Sequence, residues 1–263
     1  MLNVQEFAAK LSRAFGAYET VTVDKGELPI GMDDAEKAED AMIGQLGPIG
    51  AWKLGATNAA ALASTGLPRF FLGALPAARV SKSGGIVTGP WSGDIGVECE
   101  YAFRFQRDLI PGAPVDSDTV KAAIGGVHAA FEIPSTRYSV GLGNYGGFAT
   151  VADDGAAGWL VVGEEIARTG FENLRENIVR FMEGDRALGE GSAATHIERF
   201  PYELLTDFVR LALARGHTIK AGQFVVPGSC TGYVKAPLGV PLTGDFGGLG
   251  KVEAVFVARQ GPK

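Results

Sequence analysis

Apolar residues recur at helical spacing at the start of the chain, at Val4, Phe7, Leu11 and Phe15. Polar residues fill the positions between them, which predicts an amphipathic helix. A second helix is expected to begin at Asp33, with Glu36 as its capping-box partner, and to run toward Leu46. Residues 1–50 are therefore predicted to form a helical segment that packs on the main body.

The pattern changes after this segment. From Trp52 to about Val162, short apolar runs alternate with glycine-rich turns, which is typical of strands. Helical spacing returns over residues 203–215, where Gly216 is placed to end the helix. Near the end, every second residue is apolar, which predicts a closing strand: Val252, Ala254, Phe256 and Ala258. Residues 51–263 are expected to form a β-rich catalytic body, which makes one structural unit with the N-terminal segment.

Composition narrows the class of protein. Hydrophobic residues make up 46% and charged residues 21% of the chain, as in ordinary globular domains. The net charge is −6 and there is no long basic block, so nucleic acid is not an expected partner. The chain begins without a secretion signal and has no run of roughly 20 apolar residues, so we expect no membrane partner and a cytoplasmic location.

The sequence offers no zinc-type cluster, because its three histidines lie far apart and only Cys99 and Cys230 are present. Both cysteines are expected to be buried free thiols. Any metal is expected to be held by oxygen.

Two glutamates alternate in an apolar strand. Strand geometry sends Glu98 and Glu100 to one face and their neighbours to the other, with α-carbons roughly 6.6 Å apart. Two facing anions near a core repel each other unless a cation, a proton or solvent compensates their negative charge. The alternative is a solvent-exposed strand face that needs no ligand.

A third glutamate lies in a separate apolar run. Glu132 is flanked by Phe131 and Ile133, which should point into the core. Three carboxylates with positions left for water and substrate suit Mg²⁺ or Mn²⁺, so Glu98, Glu100 and Glu132 are the predicted metal ligands. The alternative for Glu132 is a salt bridge to Arg137.

Lys53 is the predicted catalytic residue. Its ammonium could contact a substrate carboxylate or transfer a proton, with a pKa lowered by a nearby metal; the alternative is a surface role at a strand edge. Ser229 and Thr231 lie in a glycine-bounded turn, where their hydroxyls could bind substrate or only bond to the turn backbone. His128 is expected to be a core or supporting residue rather than a base.

Several motifs occur in one order over about 200 residues. They are the segment Trp52 to Thr57, the pair Glu98-x-Glu100, Glu132-Ile133 with Arg137, the stretch Gly222 to Thr231, and Gly248-Leu249-Gly250. Together they resemble the 2-keto-4-pentenoate hydratase and 4-oxalocrotonate decarboxylase group of the fumarylacetoacetate hydrolase superfamily.

The resemblance implies an α+β fold with a β-rich, mixed, rolled sheet of the fumarylacetoacetate hydrolase C-terminal-domain type and N-terminal helices. It implies Glu98, Glu100 and Glu132 as metal ligands and a homo-oligomer as the assembly. It further implies four substrate-binding residues: Gly55, Asp154, Ser229 and Thr231. The sequence departs from the group's pattern at Ala129, at Gln223, at residues 153–156 and over residues 235–245.

The expected function is a metal-dependent hydratase that adds water to a 2-hydroxy-2,4-dienoate during catabolism of aromatic or related compounds. A divalent ion that binds the carboxylate and 2-oxygen of a keto acid stabilises its enolate. The same stabilisation of an enolate would serve two alternative enzymes, a vinylogous 2-keto-acid decarboxylase and an acylpyruvate C–C hydrolase. A further alternative is a catalytically silent binding partner. Hydrolysis is disfavoured, because related hydrolases use a histidine near the N-terminus and none precedes His128.

Overall fold

The computed structural model describes residues 2–91, 93–167 and 170–259. Its helices are α1 (Val4–Ala17), α2 (Met32–Ile43), α3 (Ala59–Thr65), α4 (Ser117–Ala123), α5 (Gly147–Ala152), α6 (Ala193–His196) and α7 (Tyr202–Ala214). Its strands are β1 (Ile49–Gly55), β2 (Phe71–Pro76), β3 (Val80–Lys82), β4 (Gly85–Gly89), β5 (Ile95–Phe105), β6 (Ile124–Ile133), β7 (Trp159–Ala167), β8 (Val179–Glu183), β9 (Arg186–Gly191), β10 (Phe224–Val226), β11 (Val234–Ala236), β12 (Pro241–Asp245) and β13 (Lys251–Ala258).

Helix α1 forms where the apolar spacing predicts it. The Asn3 side chain accepts a hydrogen bond from the backbone N–H of Glu6 at 3.3 Å, which satisfies one of the free donors of the first turn. Phe7 and Leu11 are buried. Tyr18 adopts a left-handed conformation, with φ of 62°, and ends the helix.

Helix α2 corrects one detail of the sequence prediction. It begins after Gly31, which has no side chain to act as a cap, so the predicted capping box of Asp33 and Glu36 is wrong. Asp33 lies inside the first turn instead, where a carboxylate is stabilised by the positive end of the helix dipole. The helix ends at Ile43, short of Leu46.

The strands form two sheets. The larger has the order β2-β1-β10-β5-β6-β7-β3, with β11 also paired to β5, and the smaller has the order β4-β13-β12-β8-β9. The larger sheet is mixed, because β1 pairs parallel with β10 and antiparallel with β2. Helices lie alongside these sheets, and the predicted α+β class is confirmed.

Two predicted elements of the C-terminal part are found. Helix α7 covers the expected segment, and Gly216 follows it with φ of 84°. In β13, Val252, Ala254 and Phe256 are buried, while Ala258 is exposed at the end of the strand. Within the described ranges, no helix has both the length and the apolar character needed to span a membrane.

The core supports the two central strands of the larger sheet. One face of β5 buries Val97, Cys99, Tyr101 and Phe103, and the thiols of Cys99 and Cys230 are free and buried as expected. Because these residues alternate with the glutamates, the packing of one face fixes the orientation of the other.

Candidate metal centre

Strands β5 and β6 bring three glutamates together. The two strands run antiparallel, with Glu98 directly opposite Glu132, and Glu100 projects from the same face of β5 as Glu98. One carboxylate oxygen from each of Glu98, Glu100 and Glu132 lies within 4.8 Å of the others. The predicted ligands, from two distant segments, therefore converge on one point.

Two of these carboxylates are removed from solvent. Glu100 is 1% exposed and Glu132 is fully buried. Glu100 Oε2 accepts a hydrogen bond from the Gly228 N–H at 2.7 Å. Neither carboxylate oxygen of Glu132 has a hydrogen-bond partner among the described residues, and a buried polar atom without one is costly.

Arg137, the alternative partner predicted for Glu132, pairs with a different carboxylate. Arg137 Nε lies 2.6 Å from Asp153 Oδ1 and forms a buried ion pair with it. Arg137 also donates to the carbonyl oxygen of Ala157 at 2.6 Å. The expected alternative, a salt bridge from Arg137 to Glu132, is therefore wrong.

The electrostatics of the cluster favour a cation. Burial, reinforced by the charge of Glu98, raises the pKa of Glu100 to about 8. Burial also raises the pKa of Glu132; Lys53 offsets this in part, and Glu98 and Glu100 add to it. A divalent ion would supply the missing positive charge and the missing partners for the Glu132 oxygens, so the donor set fits a hard metal.

Lys53 of β1 lies beside the cluster. It is 6% exposed, so the alternative of a surface role is wrong. Its Nζ lies 3.7 Å from Glu132 Oε1 and donates to the Gly155 carbonyl oxygen at 3.1 Å. Burial lowers the pKa of Lys53, but the facing carboxylates raise it more, so these protein groups together raise it. The lowering expected from a nearby metal stays a prediction.

A left-handed turn holds the carbonyl group that Lys53 contacts. Asp154, Gly155 and Ala156 have φ of 51°, 57° and 54°, a conformation that costs energy for residues other than glycine. Asp154 Oδ1 accepts a hydrogen bond from the Ala74 N–H at 2.7 Å. Asp154 is fully buried and is not among the cavity-lining residues, so its role in substrate binding stays a prediction.

A cavity of about 490 Å³ opens beside the carboxylates. The lining residues that bear on chemistry are Lys53, Gly55, Glu98, Glu100, Gly155, His196, Ser229 and Tyr233. Its size suits a small organic ligand.

The hydroxyls of the glycine-bounded turn bond to nearby backbone. Ser229 Oγ donates to the Gly232 carbonyl oxygen at 3.1 Å, and Thr231 Oγ1 donates to the same oxygen at 3.3 Å. Thr231 Oγ1 also accepts from the Cys99 N–H at 3.3 Å. Ser229 lines the cavity and Thr231 does not, and a substrate contact for either stays a prediction.

Two cavity residues were not identified from the sequence. His196, at the end of α6, and Tyr233, just before β11, line the cavity together with Glu98 and Glu100. Neither belongs to a motif with local chemical meaning, so only tertiary structure could reveal them. His128 lies four residues from Glu132 on β6, with Nδ1 3.2 Å from the Gly163 carbonyl oxygen, and is outside the cavity lining.

Known proteins of similar sequence and structure agree with this picture. A 4-oxalocrotonate decarboxylase from Pseudomonas putida is 27% identical over 206 residues, which covers 78% of this chain and 76% of the relative. The structure of 4-oxalocrotonate decarboxylase from Pseudomonas putida G7, complexed with magnesium and adipate, has a TM-score of 0.80 at 23% identity and covers 97% of both chains. A proposed fumarylacetoacetate isomerase/hydrolase from Oleispira antarctica has a TM-score of 0.55 at 18% identity, over 80% of this chain and 94% of the other. No family model matches the chain.

The chain shares its fold with the solved structures of 4-oxalocrotonate decarboxylase and of the fumarylacetoacetate isomerase/hydrolase-type protein. The resemblance to the 2-keto-4-pentenoate hydratase and 4-oxalocrotonate decarboxylase group of the fumarylacetoacetate hydrolase superfamily is confirmed. The expectation of a divalent-cation cofactor agrees with the magnesium in the decarboxylase structure.

Proposed function

We propose that this chain is a divalent-metal-dependent lyase that acts on the enol form of an unsaturated 2-keto acid. The observation that carries the proposal is the convergence of Glu98, Glu100 and Glu132 on one point beside a cavity that Glu98 and Glu100 line. Both oxygens of Glu132 are buried and have no hydrogen-bond partner among the described residues. Glu98, Glu100 and Glu132 would hold Mg²⁺ or Mn²⁺. When bound, the cation supplies Lewis-acid polarisation of the keto oxygen and stabilises negative charge on it.

The side chains around the cluster would orient the substrate headgroup. Lys53 carries a buried positive charge, held by the carboxylates, at the cavity wall, so it is placed to attract a substrate carboxylate. It is also the side chain we assign to proton transfer at the headgroup end of the substrate. Gly55 also lines the cavity. A Cβ there would lie 2.1 Å from the Phe71 ring, so glycine lets that ring pack against the strand, and the proposed substrate contact is through the Gly55 backbone.

Decarboxylation of a vinylogous keto acid of the 4-oxalocrotonate type is the reaction that the relatives favour. The cavity lining supports it, because Leu142, Pro134 and Ala61 contribute apolar surface. An apolar wall disfavours a carboxylate more than neutral CO₂, so it would promote loss of the distal carboxylate.

Hydration of a 2-hydroxy-2,4-dienoate is the second candidate and the reaction expected from the sequence. It needs a group that can activate or place a water at the remote end of the substrate. His196 is a candidate, because its ring lines the cavity and its Nδ1 has no hydrogen-bond partner in the described part of the chain. Catabolism of aromatic compounds would supply either substrate.

A direct assay separates these reactions. Purified protein with Mg²⁺ would be incubated with 2-oxohex-3-enedioate or with 2-hydroxypenta-2,4-dienoate, while loss of conjugation and release of CO₂ are followed. CO₂ from the first substrate supports the decarboxylase, and loss of conjugation of the second without CO₂ supports the hydratase. Turnover of neither by the metal-loaded protein would contradict the proposal, and chelation with EDTA provides the matched control.

A further inference from the structure

Tyr233 lies on the same face of the sheet as the carboxylates. Strand β11 pairs antiparallel with β5, with Val234 opposite Val97 and Lys235 opposite Gly96. Tyr233 immediately precedes β11, so in the same register it comes next to Glu98. Residues opposite one another on antiparallel strands project to the same face, so the Tyr233 side chain and the Glu98 carboxylate share a face.

The ring of Tyr233 rests on Gly96. A methyl group placed on Gly96 would lie 1.9 Å from two ring carbons of Tyr233 and 2.2 Å from its hydroxyl oxygen. The ring edge and its hydroxyl therefore lie against the strand backbone, and only glycine at position 96 permits this. Because Tyr233 is still 50% exposed, the remainder of its ring surface faces open space.

That open space is divided into two cavities. The cavity lined by Glu98 and Glu100 shares Pro134, Leu142 and Tyr233 with a second cavity of about 430 Å³. The second cavity extends toward Trp91 and Trp159. The three shared residues form a common wall, and Tyr233 is the largest of them.

We infer that Tyr233 is a specificity-determining residue whose ring limits the length of the substrate tail. This inference rests on the proposed function, because the ring of Tyr233, beside Glu98 and over Gly96, would lie between a keto-acid headgroup held by Glu98, Glu100 and Glu132 and the second cavity. The substrate class is then a short, unsubstituted 2-keto acid. A longer or aryl-substituted tail would need the neighbouring cavity and is excluded by the ring.

Truncation of the ring provides the test. Tyr233→Ala should join the two cavities and raise kcat/KM for a dienoate with a phenyl tail, relative to the unsubstituted one, by about 10-fold or more. Tyr233→Phe keeps the ring and should keep the wild-type ratio. Gly96→Ala should shift the ratio in the same direction as Tyr233→Ala, because the added methyl group displaces the ring without changing Tyr233. Ile86→Ala, at an exposed position of β4, is the matched control and should leave the ratio unchanged.

A binding measurement makes the result independent of turnover. Calorimetry with Mg²⁺ and saturated 2-keto acids of increasing tail length should show that affinity for the wild type falls above a certain tail length. In Tyr233→Ala this fall should disappear. If that result is found but neither reaction occurs, the proposed function fails and the inference stands. If the wild type and Tyr233→Ala show the same tail-length profile, or the wild type binds no 2-keto acid, the inference is overturned.

Discussion

Glu98 and Glu132 lie directly opposite one another on adjacent antiparallel strands, β5 and β6. Opposed like charges destabilise a sheet, and here one of the two side chains is fully buried. The adjoining Glu100 adds a third charge, while Lys53 supplies one positive charge at 3.7 Å from Glu132. This arrangement has a physical rationale if a divalent cation binds between the carboxylates.

Replacement of Lys53 tests its assigned role. Lys53→Met should lower kcat by about 10²–10⁴-fold, because it removes both the proton donor and the charge that faces the substrate carboxylate. Lys53→Arg keeps the charge, but a guanidinium releases a proton less readily than an ammonium, so it should restore headgroup binding without restoring the rate. Steady-state kinetics with keto-acid inhibition would check this, and a wild-type rate in Lys53→Met would contradict the role.

The carboxyl group of Asp154 should make stability depend on pH. Burial is the main cause that raises its pKa from 3.8 to about 7. The folded state then holds a proton that the unfolded state has already lost, so stability falls as pH rises between these two values. The charged groups around it are Arg137, Asp153, Lys53 and Glu39.

Asp154→Asn removes this titration while it keeps an oxygen for the Ala74 N–H. The variant should therefore become more stable relative to wild type on going from about pH 5 to about pH 8. Urea unfolding with EDTA present would measure the difference in free energy of unfolding at each pH. If the free energy of unfolding of Asp154→Asn minus that of wild type does not change with pH, or falls as pH rises, the pKa assigned to Asp154 is wrong.

Gly73 is expected to be intolerant of a side chain. It lies opposite Lys53 on β2, and a Cβ there would be 2.5 Å from the Asp154 carbonyl oxygen. Gly73→Ala should cost about 1–3 kcal/mol of the free energy of unfolding and disturb the turn that holds Lys53. Gly85→Ala is the control, because its Cβ would have its nearest neighbour at 3.8 Å. Equal stability of the two variants in urea denaturation would show that the turn can shift at little cost.

The local pattern of residues could predict the metal centre because strand periodicity alone places Glu98 and Glu100 on one face. It also indicated that Glu132 needs a partner, since apolar residues flank it. It could not predict that β5 and β6 are adjacent in the register that places Glu98 opposite Glu132. The resemblance to known enzymes is what implied that Glu132 shares a metal with Glu98 and Glu100. The predicted α1 and α7 were found because their apolar spacing is long and regular.

Other features depend on contacts between distant segments. The ion pair of Arg137 with Asp153, rather than Glu132, follows from how the segment after β6 packs on the turn near Asp154. The burial of Lys53 depends on β1 lying inside the larger sheet. The places of His196 and Tyr233 in the cavity depend on segments more than 90 residues from the carboxylates of β5. None of these leaves a periodic signal in the sequence.

The most direct test of the metal centre is the effect of Mg²⁺ on the free energy of unfolding, measured by urea denaturation for wild type, Glu132→Gln and a control, Glu253→Gln, whose side chain is 44% exposed. A ligand that binds only the folded state at about 100 times its Kd stabilises the protein by about 2.7 kcal/mol. Wild type and Glu253→Gln should show this gain, and Glu132→Gln should lose it. An absent gain in wild type, or an equal gain in Glu132→Gln, would contradict a metal bound by Glu98, Glu100 and Glu132.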